Sequence, residues 1–343
     1  PDTTLKNIIL IIGDGMGVSQ ASISRFVQNE ENKGLFLERL PITGLLYTHS
    51  LDNLITDSGA SGTAFATGHK TTNGTISMTT DSIPMGTLLE SMQKHGYGTG
   101  LVTSTDITDA TPAAFASHVP SRSMEKEIMK QILNNKVNVL LGEGADLLKE
   151  NKKLRKTALN NDYSLVRKKE QLNKSFDKNI LGLFENISLP STTTDYEFDP
   201  SAPSPAFLAK KAIEYLKNKK KGYFLLIEEE GTDSGSHMND PEYVTSHLKR
   251  LDKAIKKAVE FAKENKQTLV LVTGDHETGG FNLVNHDPGS QKGTVKWATG
   301  AHTAQQVPIY AFGPHADKFS GVMDNTDVPK KVAGIIGIQK FWE

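Results

Sequence analysis

Asp, Glu and His recur where apolar runs of this chain give way to glycine-rich polar segments. After NIILII (7–12) comes GDG, with Asp14, and after YFLLI (223–227) comes EEEGTDSGSH, with Glu228, Asp233 and His237. After TLVLVT (268–273) comes GDHETGG, with Asp275 and His276, and just before VPIYAF (307–312) comes TGAHT, with His302. Carboxylate oxygens suit hard divalent cations, and imidazole with carboxylate suits zinc when thiolates are missing. Asp233 and His237 are four residues apart, so one helical turn could aim both at one ion. Each segment alone has a plainer reading: a lone Asp after a strand is a turn residue or cap, and EEE is a solvated acidic run. Segments so far apart in sequence, all at strand ends, favour convergence on one site. His49, His69, His95, His118, His247, His286 and His315 lack that placement beside an acid and read as surface or hydrogen-bonded structural residues.

A second feature is TDSGASGTAFATG (56–68), small and hydroxylated almost throughout. Its composition is that of a linker, yet such residues also permit a tightly packed helix beginning at Ser58. A helix N-terminus offers free N–H groups and a positive dipole end, which favour an anion and an ionised serine oxygen. Small neighbours let backbone and ions approach closely. Read alone, Ser58 fits the plainer role of helix cap better.

These residues need a scaffold, and the apolar runs describe one. NIILII, TGLLYT (43–48), TGLVTS (99–104), VNVLL (137–141), YFLLIE (223–228), TLVLVT and VPIYAF are mostly continuous rather than alternating, as strands covered on both faces are. Helical patterns lie between them at 85–97, 123–135, 205–218 and 241–265, the last with Leu248, Leu251, Ile255, Val259 and Ala262 on one stripe. Strand–helix alternation predicts an α/β fold: a single doubly wound, mostly parallel central sheet flanked by helices, with peripheral insertions. Ligands of such sheets sit outside the carboxyl ends of the strands. The Lys- and Asn-rich stretch 144–202 reads as a peripheral excursion and the Gly-rich stretch 277–301 as a second excursion or a plain surface loop, within one domain spanning 1–343.

The 343 residues include no cysteine, which excludes disulfides, zinc–thiolate sites and a cysteine nucleophile. The net charge of −1 gives no general attraction to nucleic acid, and no apolar stretch is long enough to span a bilayer. The start at Pro1, without Met, hints at a removed leader and a periplasmic or secreted location.

Together the motifs resemble the alkaline phosphatases of the bacterial type, metal-dependent phosphomonoesterases, from IIGDGMG to AFGPHA and most weakly over 144–202. TDSGASGTAFATG resembles the segment in which the serine after Asp attacks phosphorus, which falls on Ser58. DATPAAFASHVPSR (109–122) resembles the segment with a magnesium-ligand threonine and a phosphate-binding arginine, which fall on Thr111 and Arg122. The resemblance implies two Zn2+ and one Mg2+ per chain. Asp233, His237 and His302 would hold one zinc, and Asp14, Asp275 and His276 the other, with Ser58 as its reactive ligand. Asp14, Thr111 and Glu228 would hold magnesium, while Asp57 would orient Arg122 on the substrate phosphate. It further implies nonspecific hydrolysis of phosphate monoesters through a phosphoserine at alkaline pH, and a homodimer with 277–301 as a reduced crown at its interface.

Two departures stand out. The family's glutamate is usually followed by glycine, whereas Glu229 and Glu230 follow Glu228 here; spacing to Asp233 selects Glu228 as the ligand. Ser234 stands where relatives often carry Lys, His or Trp, and Asp109 matches relatives that keep an acid there. Both would act on metal and phosphate affinity. The rival readings are a phosphodiesterase on the same metal scaffold and a non-catalytic metal- or phosphate-binding protein.

Overall fold

Apolar runs without alternation need cover on both faces. The computed structural model, which describes residues 5–27, 34–174, 178–188, 198–286 and 293–339, supplies it. In chain order the strands are β1 (Asn7–Gly13), β2 (Ile42–Tyr47), β3 (Gly98–Asp106), β4 (Val139–Glu143), β5 (Tyr163–Val166), β6 (Asn179–Leu183) and β7 (Tyr223–Glu229). They continue with β8 (Thr268–Gly274), β9 (Glu277–Thr278), β10 (Asn282–His286), β11 (Gly293–Lys296), β12 (His302–Thr303), β13 (Val307–Phe312) and β14 (Gly321–Asp324). The first helices are α1 (Val18–Val27), α2 (Ser58–Thr67), α3 (Leu88–Lys94), α4 (Ala110–Ala116), α5 (Glu125–Asn135) and α6 (Ala145–Glu150). After them come α7 (Lys152–Asn160), α8 (Pro205–Leu216), α9 (Gly231–His237), α10 (Pro241–Asn265) and α11 (Asp327–Ile335).

One 10-stranded sheet runs in the order β14-β2-β13-β8-β1-β7-β3-β4-β6-β5. Its described pairings are parallel except those of β13, which is antiparallel to both β2 and β8. Each apolar run noted above supplies a strand of this sheet. Alternate residues of β1 divide between two cores. Ile8, Leu10 and Ile12 pack with Phe65, Leu89 and Phe115 on one side, while Ile9 and Ile11 pack with Leu248, Leu251 and Ile255 of α10 on the other. Burying each such side chain is worth about 1.5–3 kcal/mol before the entropy of ordering is set against it.

Helix α10 shows why its bounds were legible. Asp240 accepts from the N–H groups of Glu242 and Tyr243, Pro241 fills the first turn, and Lys266 ends the helix in the left-handed region at φ 58°. The predicted stripe is buried against the sheet. Residues 144–202 carry α6, α7, β5 and β6, and β6 and β5 form one edge of the central sheet. The stretch 277–301 carries β9, β10 and β11, with 287–292 outside the described residues.

Candidate active site

Strands β7, β1 and β8 lie side by side at the middle of the sheet, and their carboxyl ends are level: Gly13 is in register with both Glu229 and Gly274. The residues that follow each strand are therefore forced together. Asp14 follows β1, Glu228 is the last residue but one of β7, α9 then delivers Asp233 and His237, and Asp275 and His276 follow β8. Gly15 turns the chain out of β1 at φ 68°, and a Cβ there would come within 2.8 Å of the Asp233 backbone. Contact this close requires glycine.

His276 Nε2 lies 3.3 Å from Asp14 Oδ1 and 3.4 Å from Asp275 Oδ2. His237 Nε2 lies 3.2 Å from Asp233 Oδ2, and His302 Nε2 lies 3.6 Å from Asp233 Oδ1. The rings of His276 and His302 stack with centroids 3.6 Å apart. Ligand atoms of Asp233, His237 and His302 fall within 4.8 Å of one another, as do those of Asp14, Asp233 and His276. Asp233 thus stands between the two groups.

The outer nitrogens explain the ring orientations. His237 Nδ1 is 2.7 Å from the Gly300 carbonyl and His302 Nδ1 is 2.9 Å from the Thr56 carbonyl, so both must donate there. The Thr278 hydroxyl donates to Asp233 and so can only accept from His276 Nδ1, at 3.2 Å. In their neutral form all three rings turn Nε2 lone pairs inward, the arrangement that carbonyl and hydroxyl partners impose on metal-binding histidines.

Ser58 is the first residue of α2, nearly buried, with Oγ 3.3 Å from His276 Nε2. Asp57 is the N-cap and accepts from the Ala60 N–H at 2.9 Å. Its other oxygen accepts from Arg122 Nη1 at 3.2 Å, and Asp109 accepts from Arg122 Nη2 at 2.9 Å. Burial alone would raise Asp57; the N–H groups of Ala60 and Gly74 and the Arg122 charge outweigh it and lower its pKa. Two carboxylates thus fix the plane of one guanidinium beside the serine. Ser61, one turn along α2, donates to the Asp275 carbonyl at 2.7 Å and ties the helix to the end of β8.

Glu228 is buried, with Oε2 accepting from Thr103 Oγ1 at 2.6 Å. Burial and then the Asp109 charge push its pKa up to about 8. Asp14 is raised well above the usual carboxylate range by burial, then by Asp275, Asp233, Glu228 and Glu230. Glu230 is pushed up to about 7, chiefly by burial, with Asp233 and Asp109 adding, and it accepts a hydrogen bond from Ser234. Position 234 is therefore turned to Glu230. Glu229 points away from this cluster, toward His247.

So many buried acids repel one another unless cations join them. The unpaired atoms point the same way. Asp14 Oδ1 and Asp275 Oδ2 are buried without a hydrogen-bond partner among the described residues. Oxygen and imidazole donors in this mix fit zinc, and a carboxylate–hydroxyl set around Thr111 and Glu228 fits magnesium.

Sequence reasoning missed Thr278, Thr103 and Ser61, whose hydroxyls hold Asp233, Glu228 and helix α2 in place. Thr278 sits inside GDHETGG and Thr103 inside TGLVTS, so a hydroxyl beside a strand end was the available signal. Of the histidines set aside, His118 and His247 are hydrogen-bonded to Glu90 and Glu229, and the side chain of His286 lies outside the described residues.

A family model described as alkaline phosphatase matches residues 5–290 and 284–338. The chain is 32% identical to the alkaline phosphatase of Escherichia coli (strain K12), over 98% of this chain and 87% of that protein. It is 30% identical to alkaline phosphatase 4 of Bacillus subtilis (strain 168), over 94% of this chain and 87% of that protein. Among solved structures, the alkaline phosphatase from the Antarctic bacterium TAB5 superposes with a TM-score of 0.87 at 27% identity, covering 99% of both chains.

Proposed function

Because this chain belongs to the alkaline phosphatase family and is a phosphomonoester hydrolase, we propose that Ser58 is its nucleophile and that turnover passes through a phosphoserine. One observation carries the reading: the Ser58 hydroxyl stands at the buried N-terminus of α2, 3.3 Å from His276 Nε2. Asp233, His237 and His302 would hold one zinc, Asp14, Asp275 and His276 a second, and Asp14, Thr111 and Glu228 a magnesium ion. Bound there, such cations lower the pKa of a hydroxyl or water and offset charge on the attacking and leaving oxygens of an in-line displacement.

The chain's own groups supply the rest. Free N–H groups of the first turn of α2 favour the anionic Ser58 oxygen and the phosphoryl oxygens beside it. Arg122, held flat by Asp57 and Asp109, grips two nonbridging oxygens with its planar fork. The Ser58 Oγ–phosphorus bond forms as the ester oxygen leaves; water then attacks the phosphoserine and releases phosphate. Contacts restricted to the phosphoryl group leave the alcohol portion unread, hence nonspecific monoester hydrolysis. Turnover rises into alkaline pH because serine and water must both give up protons. A periplasmic or secreted homodimer completes the reading, by likeness to the family.

The test is chemical trapping. Protein supplied with zinc and magnesium is quenched while hydrolysing p-nitrophenyl phosphate, digested and mapped by mass spectrometry. A phosphoryl group on Ser58, absent after chelation, is the expected result. Its appearance on another residue, or faster turnover of the bis-ester than of the monoester, would overturn the reading.

A further inference from the structure

Successive residues of a strand face opposite ways, and the end of β7 uses both directions. Glu228 faces Thr103 and the site, whereas Glu229 faces α10. Glu229 Oε1 accepts from His247 Nδ1 at 2.6 Å, with both side chains 0% exposed. The His247 ring lies on Tyr243, centroids 4.5 Å apart, and meets Phe198 edge-on at 5.3 Å. Phe198 also carries the Arg250 guanidinium, 3.8 Å above its ring, and Arg250 Nη2 donates to the Ile187 carbonyl at 2.7 Å. Gly231 is matched to this packing: a Cβ there would lie 1.9 Å from His247 Nδ1.

Burying an acid costs desolvation that a glycine at 229 would not incur. The backbone around Glu229 shows what the anchored side chain holds. Its carbonyl accepts from the Asp14 N–H at 3.0 Å, and the next N–H, of Glu230, donates to Ser104 Oγ at 3.0 Å. Fixing Glu229 therefore fixes the peptide units that aim Glu228 and, across the strand pair, Asp14.

We propose that the Glu229–His247 pair, backed by Arg250, is a positioning device for the cation held by Asp14, Thr111 and Glu228. It acts by locking the end of β7 from the face opposite the site. The inference rests on the reading of Glu228 as a magnesium ligand.

Equilibrium dialysis of the zinc-loaded full chain against magnesium, with both metals quantified by mass spectrometry, tests it. His247→Leu and Glu229→Met, each of which removes one partner of the hydrogen bond, are expected to raise the magnesium Kd about tenfold or more, with zinc per chain unchanged. His247→Asn, which keeps a donor near the Nδ1 position, should recover most of the affinity. A lowered melting temperature with an unchanged magnesium Kd would overturn the inference, and so would equal loss of zinc and magnesium, which signals general loosening. If His247→Leu is insoluble, Glu229→Met decides by the same readouts, since it removes the acceptor and keeps a side chain of similar length. Wild-type protein that binds no magnesium would sink the ligand assignment and the inference together; wild type and variants binding it alike would sink the inference alone.

Discussion

At the scale of single residues, the site separates bond-making from charge-holding. Ser58 carries the only hydroxyl that the reading asks to attack, so Ser58→Ala should lower kcat about 1,000-fold or more while metal content stays at the wild-type value. Full turnover in that variant, with metals verified, would remove Ser58 from the role. Arg122 would work differently, by gripping phosphate through hydrogen bonds to charged oxygens. Each of the two such bonds is worth about 1.5–3 kcal/mol, so Arg122→Ala should weaken inhibition by inorganic phosphate about 100-fold or more. Steady-state inhibition measurements check this; an unchanged inhibition constant would mean that the guanidinium is turned elsewhere. The residues behind these two groups were unevenly legible. Acids and histidines announce themselves by chemistry and by falling after apolar runs. Thr103 and Thr278 do not, because a threonine near a strand is common and its partner, Glu228 or Asp233, lies far off in sequence.

At the scale of elements, legibility followed burial. β1, β7 and β8 are buried at every residue and read directly as unbroken apolar runs. β5 and β14 are four residues each at the sheet's edges, and β14 begins with the exposed Gly321 and Val322, so neither leaves a continuous apolar signal. α4, ATPAAFA, has a proline inside its first turn and too few residues for a periodicity, and the sequence does not show it as a helix. Elements also carry their own electrostatics, as Glu90 of α3 shows. It closes a capping box with Thr87 and pairs with His118 Nε2 at 3.0 Å, tying α3 to the segment before α5. Burial alone would lower His118, but the Glu90 hydrogen bond and charge outweigh it and raise its pKa; burial alone would raise Glu90, and His118 lowers it. The His118 contribution is therefore full below its unfolded value of about 6.5 and lost as pH rises through its folded value. That of Glu90 is present above about 4.3 and lost in acid. His118→Gln should thus cost more stability at pH 6 than at pH 9, read from urea midpoints at the two values. An equal cost at both would show that the pair contributes no charge interaction.

For the molecule as a whole, the centre of the sheet is where stability and function oppose one another. The fold gathers Asp14, Glu228 and Glu230 at the ends of its central strands, and burial with mutual repulsion raises all three, Glu228 to about 8 and Glu230 to about 7. An acid whose pKa is raised by folding stabilises the fold fully below its unfolded value, about 4, and loses that contribution as pH rises through its folded value. His237, pushed up to about 9 by its hydrogen bond to Asp233, acts in the same direction. Chelated protein should therefore melt at a rising temperature as pH is lowered from 9 to 6. Cations reverse the logic: they bind the ionised acids and neutral imidazoles, so protein with metals should keep its stability up to pH 9 and lose metal on acidification. At free metal about 1,000-fold above its Kd, each site adds about 4 kcal/mol, enough for chelation at pH 9 to lower the melting temperature by about 10 °C or more. Calorimetric scans at pH 6 and pH 9, with and without chelator, give the four values needed. A chelation effect as large at pH 6 as at pH 9 would mean that proton and cation do not compete for these carboxylates, and the electrostatic account of the site would fall with it.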